Sequence, residues 1–144
     1  MIVHAGLIAR QVAGAWRGVL ILGPSGVGKS DLALRALAEG FSLVADDRTL
    51  LFLSANRLFG RAPDALHGLI EARGLGVLRQ AARRFAPVSL AVRCKSGPAD
   101  GERLPPEQRE RLMGVDIPLV DIWPIENSAT AKISRAIEHL GPGA

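Results

Sequence analysis

Residues 23–30 constrain the fold of this chain more than any other stretch. This segment, called the phosphate loop below, consists of Gly23, Pro24, Ser25, Gly26, Val27, Gly28, Lys29 and Ser30. It matches the pattern G-x-x-x-x-G-K-[ST], in which the glycines let backbone N–H groups turn towards an anion. In such a loop Lys29 can contact the β- and γ-phosphates of a nucleotide, and the Ser30 hydroxyl can bind Mg²⁺. The motif therefore predicts a nucleotide-binding site.

The sequence on either side of the phosphate loop fits this prediction. Residues 18–22 form a short apolar run that is typical of a buried strand. Residues 31–38 contain good helix formers, and Gly40 can end that helix. A strand, a loop and a helix in this order predict an α/β fold, in which the positive N-terminal end of the helix lies beneath the phosphates.

The composition limits the class of protein. A length of 144 residues predicts one domain over residues 1–144. The chain has one cysteine, no apolar run of membrane-spanning length and no recognisable signal peptide, so we expect a cytoplasmic protein without a membrane segment. The net charge is +4, but there is no tyrosine and no interleaving of basic with aromatic residues. Phosphate or protein ligands are therefore expected rather than nucleic acid.

Hydrophobic patterns predict several further elements. The expected strands are residues 2–8, 41–45 and 115–122, the last interrupted at Pro118, with a hairpin at 50–60. The expected helices are a short exposed one at 106–112 and an amphipathic one that Ser128 caps, with Ile133, Ile137 and Leu140 on one face. The basic cluster of Arg79, Arg83 and Arg84 is expected on a solvated helix face, or alternatively as a docking site for an acidic partner.

Two adjacent carboxylates, Asp46 and Asp47, follow the strand predicted at 41–45. Ligands of open α/β sheets bind outside the carboxyl ends of strands, so this is a suitable place for catalytic groups. Neighbouring strand residues point to opposite faces, so both carboxylates can serve one site only if the strand ends there. One carboxylate could then face a metal while the other accepts the proton of an acceptor group. The alternative is a polar strand exit that caps a turn.

Glu71 and His4 are further candidates. Glu71 lies between apolar residues just before a glycine-rich turn. Its carboxylate is either a metal ligand or the ion-pair partner of an arginine such as Arg73. A lone histidine at a strand start, as at His4, is more often structural than catalytic.

Taken together, these segments strongly resemble the catalytic domain of bacterial HPr kinase/phosphorylase. The segments that carry the resemblance are Val3-His4, the phosphate loop, Leu43-Val44-Ala45-Asp46-Asp47 and Ile70-Glu71-Ala72-Arg73-Gly74-Leu75-Gly76. The phosphate loop alone occurs in many families, whereas V-A-D-D followed by E-x-R-G-L-G is far more specific. The resemblance extends over residues 3–77 and fades downstream.

The resemblance implies a fold, an activity and a set of residue roles. The family fold is an α/β core with a mixed sheet flanked by helices, similar to phosphoenolpyruvate carboxykinase and usually assembled as a hexamer. Its members use ATP and Mg²⁺ to phosphorylate a serine of HPr, the small phosphocarrier of the sugar phosphotransferase system, and many run the reverse reaction. By this resemblance Lys29 would contact the phosphates, and Ser30 and Glu71 would be the magnesium ligands. Asp46 and Asp47 would supply the acid/base chemistry, with Asp47 as the base and His4 supporting it, and Arg73 would brace the turn that holds Glu71.

The chain also departs from the family pattern. Typical members carry a separate N-terminal domain, which is not expected here. Beyond Val77 we recognise neither the family's glycine- and asparagine-rich stretch nor its arginine-containing loop. The expected function is thus an HPr serine kinase, with the reverse activity left open. The alternatives are a small-molecule kinase with the same phosphate loop, and a module that senses ATP without phosphoryl transfer.

Overall fold

The computed structural model describes residues 1–98, 103 and 105–140. These residues form eleven strands, two α-helices and a short 3-10 turn at Asp64–Leu66. The strands are β1 (Ile2–Val3), β2 (Ala5–Val12), β3 (Ala15–Leu22), β4 (Ser42–Ala45), β5 (Thr49–Ser54), β6 (Arg57–Arg61), β7 (Leu69–Ala72), β8 (Gly76–Arg79), β9 (Ala86–Cys94), β10 (Gln108–Leu112) and β11 (Val115–Ile122). The helices are α1 (Lys29–Leu37) and α2 (Ala129–His139). None of the helices described is long and apolar enough to cross a bilayer.

Nine of the described strands form one mixed sheet. Its main path runs β1-β5-β6-β9-β3-β2-β4, and β11 joins it by pairing in parallel with β9 and antiparallel with β10. Strands β7 and β8 pair only with each other, as a separate hairpin.

The strand directions place the carboxyl ends of several strands on one side of the sheet. Strands β3, β9 and β11 are mutually parallel, and β4 has the same direction because both β3 and β4 run antiparallel to β2. Their carboxyl ends, Leu22, Cys94, Ile122 and Ala45, therefore lie on one side of the sheet. Strand β2 begins on that side, since Ala5 pairs with Leu22. Ligands of α/β sheets bind on this side, just outside the carboxyl ends of the strands.

The two faces of the central strands pack into separate cores. Ile8 and Val19, which pair across β2 and β3, point towards the helices. They form one core with Leu32 of α1 and Ile133 of α2. The next pair, Leu7 and Leu20, faces the opposite way, into a core that includes residues of β5, β6 and β11. Strands buried on both faces are continuously apolar, which explains the run at 18–22. The expected α/β fold with a mixed sheet and flanking helices is confirmed, and both helices lie on one face.

Most of the predicted elements occur. The strand at 18–22 is the end of β3, the strand at 41–45 is β4, and the hairpin at 50–60 is β5 with β6. The strand expected at 2–8 is divided at His4, because β1 pairs with β5 whereas β2 pairs with β3 and β4. The final helix is α2, in which Ile133 and Ile137 are buried while Leu140, at the C-cap, is 47% exposed.

Three expectations were wrong. The helix expected at 106–112 is strand β10, because pairing with β11 outweighs the helix propensity of its charged residues. Pro118 does not interrupt β11, since pairing with β9 begins one residue later, at Leu119. The basic cluster lies on no helix: Arg79 ends β8, and Arg83 lies over the ring of Trp16, 3.7 Å from its centroid.

Candidate active site

A cleft of about 360 Å³ opens beside the carboxyl ends of β3 and β4. Its walls are the phosphate loop, the start of α1, the residues that flank β1 and β4, and the β7–β8 hairpin. The predicted site residues that line it are His4, Asp47, Glu71, Arg73 and, from the phosphate loop, Ser25, Gly26, Gly28, Lys29 and Ser30. The other predicted site residues, Asp46, Gly23, Pro24 and Val27, are not part of its lining. Side chains from four separate segments thus meet in one cavity.

The phosphate loop connects β3 to α1 with a backbone that requires glycine. Gly28 is the N-cap of α1 and has φ of 111°, a conformation that L side chains rarely adopt. A Cβ at Gly23 would lie 3.0 Å from the Cβ of Cys94. The loop therefore lies directly on the end of β9 and leads into the N-terminus of α1, an arrangement that is typical of anion-binding loops.

The lysine of the loop is already positioned. Lys29 is buried, with 8% of its surface exposed, and its Nζ donates to the carbonyl oxygens of Gly23 at 2.6 Å and Pro24 at 2.9 Å. It makes no ion pair within the part of the chain that the structure describes. An ammonium group has three donors, so one remains for a phosphate oxygen.

Asp46 connects the phosphate loop to the β7–β8 hairpin. Its Oδ1 accepts a hydrogen bond from Ser30 Oγ at 2.8 Å, and its Oδ2 accepts one from the backbone N–H of Glu71 at 2.9 Å. Both carboxylate oxygens are therefore used to position the two residues expected to bind the metal. The geometry gives Asp46 a positioning role rather than direct contact with an acceptor.

Asp47 faces the cleft in an unusual backbone conformation. Strand β4 ends at Ala45, so the strand alternation stops before the two carboxylates, as expected; Asp47 lines the cleft, and Asp46 bonds to two residues that line it. Asp47 has φ of 66°, and the N–H of Arg48 donates to the carbonyl of Asp46 at 2.7 Å. This is a γ-turn of positive φ, which is rare and strained. Such strain is often found at functional positions.

His4 lies beside Asp47. His4 Nε2 is 3.3 Å from Asp47 Oδ1, and the two side chains are 50% and 53% exposed. An acceptor hydroxyl can therefore reach the carboxylate from the side that the imidazole leaves open.

Glu71 and Arg73 reach the cleft from β7 and the turn after it. Both side chains are exposed, and no ion pair joins them among the described residues. The carboxylate of Glu71 is therefore available to a cation, and the ion-pair alternative for Glu71 has no support in the geometry.

Three supporting residues were missed by the sequence reasoning. Arg35 of α1 donates to the carbonyl oxygen of Pro124, which packs beside Gly28 of the phosphate loop. Buried Thr49 donates from Oγ1 to the carbonyl of Ala5 at 2.8 Å, which ties the start of β5 to the segment that carries His4. No local sequence signal identifies these contacts, because the partners are 89 and 44 residues apart.

The oxygen donors at the cleft suit a magnesium ion that is bound partly by protein side chains and partly by the phosphates of a nucleotide. No group of three or more His, Cys, Asp or Glu side chains that could hold a metal occurs in the described residues. Mg²⁺ usually keeps several waters and is held by one or two carboxylates together with substrate phosphates. The Ser30 hydroxyl and the Glu71 carboxylate, both at the cleft, fit such a site.

Comparison with known proteins extends the likeness along nearly the whole chain. The family model described as HPr Serine kinase C-terminal domain matches residues 2–139. Similar proteins include HPr kinase/phosphorylase of Mycoplasma pneumoniae, 35% identical over 133 residues, covering 84% of this chain and 42% of that protein. HPr kinase/phosphorylase of Variovorax paradoxus is 42% identical over 99 residues, covering 61% of this chain and 31% of that protein. The chain therefore spans about two fifths or less of the length of these curated relatives.

A solved structure has the same fold. The structure of the Hpr(Ser) kinase/phosphatase from Coxiella burnetii matches with a TM-score of 0.77 and 27% identity, covering 95% of this chain and 88% of that one. The expectation that the resemblance fades after Val77 was wrong, because the family model continues to residue 139. The chain belongs to the family of HPr Serine kinase C-terminal domains.

Proposed function

We propose that this protein is an ATP- and Mg²⁺-dependent serine kinase whose acceptor is HPr or an HPr-like phosphocarrier protein. The observation that carries the proposal is the arrangement of one cleft, in which Lys29 and Ser30 of the phosphate loop face the pair of Asp47 and His4. The names of the similar proteins, HPr kinase/phosphorylase, support the choice of acceptor.

In this proposal the chain binds the nucleotide through the phosphate loop. The loop amides and Lys29 hold the phosphates, so that charge developing during transfer is balanced by groups already in place. The serine oxygen forms a bond to the γ-phosphorus while the bond to the bridging oxygen of the leaving ADP breaks. The serine proton passes to the carboxylate of Asp47, which has His4 Nε2 beside it at 3.3 Å.

Ser30 and Glu71 would hold the magnesium ion. Bound there, Mg²⁺ would neutralise negative charge on the β- and γ-phosphates. Asp46 prepares this site, because Ser30 donates its only hydroxyl proton to Asp46 Oδ1 and so keeps its lone pairs for the cleft. The second hydrogen bond of Asp46, from the N–H of Glu71, holds the other proposed ligand beside it.

The proposal extends to assembly and location. By resemblance to the family we propose a homo-oligomer, with a hexamer as the specific expectation, which sedimentation velocity can test. We also propose a cytoplasmic location, which suits a chain whose one cysteine is a buried free thiol.

Mass spectrometry of HPr incubated with this protein and Mg-ATP tests the activity. We expect a gain of one phosphoryl group on a serine. Asp47→Asn should reduce kcat by about 10²–10⁴-fold, the range for loss of a general base, while ATP affinity is unchanged. Asp64→Asn, a matched change at a 98% exposed side chain outside the cleft, should behave as wild type.

The alternative functions give different results in the same experiment. Label from ATP that appears on a metabolite but never on HPr would identify a small-molecule kinase. Tight ATP binding by wild type without transfer to any acceptor would identify a nucleotide-sensing module. Equal activity of wild type and Asp47→Asn would remove Asp47 from the mechanism.

A further inference from the structure

The β7–β8 hairpin is an exposed element attached to the cleft. Its inner residues Ile70 and Ala72 are buried, whereas all four residues of β8 are exposed. The two strands pair with no other described strand, so the outer edge of β8 is unpaired. At the tip, Leu75 is 77% exposed, and Val77 of β8 is 66% exposed. Neighbouring apolar side chains this exposed often mark an interaction surface.

The register places these residues next to the proposed catalytic groups. Val77 pairs with Glu71, and Arg79 pairs with Leu69. Residues paired directly across two antiparallel strands have side chains on the same face, so Val77 and Arg79 share the face of Glu71. Glu71 itself lines the cleft. The surface formed by Leu75, Val77 and Arg79, called the hairpin face, is therefore continuous with the mouth of the cleft.

The composition of the hairpin face fits a protein rather than a metabolite. Small ligands bind in concave sites that cover most of their surface, and a strongly exposed leucine and valine outside the cavity would contribute nothing to them. Arg73 and Arg79 form no ion pair with any described residue, so their guanidinium groups are free to contact acidic side chains of a partner. A partner with apolar side chains bordered by acidic ones is complementary to this surface.

The side chain of half-buried Arg83, another member of the basic cluster, lies away from the cleft. Arg83 lies over Trp16, which is near the start of β3, whereas the phosphate loop follows the end of that strand at Leu22. Leu22 lies six positions after Trp16 along β3, which is about 20 Å at ~3.3 Å per residue. Of the two, Arg79 is the one in position to contact an acceptor at the cleft.

We propose that the hairpin face docks the acceptor protein beside the cleft, so that the serine is presented to Asp47 while Leu75, Val77 and Arg79 contact the surface around it. This inference rests on the proposed protein kinase activity. It assigns the specificity for a folded acceptor to Leu75, Val77 and Arg79, which have no proposed role in binding the phosphates.

Steady-state phosphorylation of HPr at saturating Mg-ATP tests this surface with the double variant Leu75→Ser/Val77→Thr. Both side chains are exposed, so the variant should keep the fold, which thermal melting checks, and Leu75→Ser alone provides a milder change. Leu53→Ser is the matched control, because Leu53 is also an exposed apolar residue near the tip of a hairpin but lies outside the cleft. We expect KM for HPr to rise about tenfold or more in the double variant, with kcat and ATP affinity unchanged, as for loss of interface anchors. Arg79→Gln should raise KM for HPr and weaken its dependence on salt.

Each outcome of this experiment decides a different point. If wild type phosphorylates HPr and the folded double variant has the wild-type KM, the docking inference alone is overturned. If wild type transfers nothing to HPr, the proposed function fails and the docking inference fails with it. If the double variant loses activity together with a change in sedimentation coefficient, the hairpin face is a contact between copies of this chain, and the inference is likewise overturned.

Discussion

The hydrogen bonds of Asp46 make the replacement Asp46→Asn a sharp test of how the metal site is prepared. The backbone N–H of Glu71 can only donate, so the amide oxygen of the introduced asparagine must face it. The amide NH₂ must then face Ser30 Oγ, which has to accept instead of donate. The hydroxyl proton of Ser30 must then occupy one of the two remaining positions around Oγ, so only one lone pair is left for Mg²⁺ instead of two. Asp46→Asn should therefore impair magnesium binding more than folding.

The size of both effects follows from the two hydrogen bonds. A hydrogen bond to a charged group contributes about 1.5–3 kcal/mol and a neutral one about 0.5–1.5 kcal/mol. Asp46 is half-buried and the asparagine retains both contacts, so the expected loss of unfolding free energy is about 1–2 kcal/mol, or a Tm lower by about 3–6 °C. A misdirected hydroxyl proton should weaken Mg²⁺ binding at least about tenfold, equivalent to about 1.4 kcal/mol.

The variant Asp46→Ala separates hydroxyl orientation from charge. It removes the same negative charge and both hydrogen bonds, but it leaves the Ser30 hydroxyl free to rotate towards a metal. Stability should therefore fall in the order wild type, asparagine variant, alanine variant. The Mg²⁺ concentration for half-maximal ATP binding should instead rise in the order wild type, alanine variant, asparagine variant. Scanning fluorimetry and calorimetric ATP titrations at several Mg²⁺ concentrations measure the two orders. An asparagine variant that needs less Mg²⁺ than the alanine variant would refute the reasoning.

Two further predictions concern buried groups. Arg17 is buried and its Nη1 donates to the carbonyl of Ile137 at 2.8 Å, at the C-terminal end of α2, so Arg17→Met should cost about 2 kcal/mol in urea unfolding. Exposed Arg135→Met should change stability by less than about 0.5 kcal/mol, and equal losses would contradict this assignment. Burial raises the pKa of the Cys94 thiol from 9.0 to about 11, so the unfolded chain loses this proton first as pH rises. Unfolding free energy should therefore fall by about 2–3 kcal/mol more in wild type than in Cys94→Ala between those two pH values, and parallel pH curves would show that the thiol does not contribute.

The sequence predicted those parts of the site that depend on local order along the chain. The strand before the phosphate loop and the helix after it come from short, contiguous patterns, and the structure has both. That Asp46 and Asp47 can serve one site was also predictable, because it requires only that β4 end at Ala45. The family resemblance also implied that His4 lies beside the aspartates, as it does. The hydrogen bonds of Asp46 to Ser30 and to the Glu71 N–H were not predicted, since these residues come together only through the tertiary fold.

Pairing partners also explain the errors in secondary structure. Residues 108–112 have the sequence Gln-Arg-Glu-Arg-Leu, which favours a helix by intrinsic propensity. They form a strand because β11, which joins the main sheet through β9, offers an edge to pair with. Such tertiary contacts routinely override propensity, and they leave no periodic signal in a five-residue segment.

The positive φ of Asp47 places stability and activity in direct competition at one position. A non-glycine residue in this region costs roughly 1 kcal/mol or more, which glycine would largely avoid. Any mutational search that scores folding alone should therefore favour glycine at position 47 and, with it, discard the proposed base. Aspartate at this position lowers the free energy of unfolding relative to glycine, and the proposed role in proton transfer would be the reason that it is there.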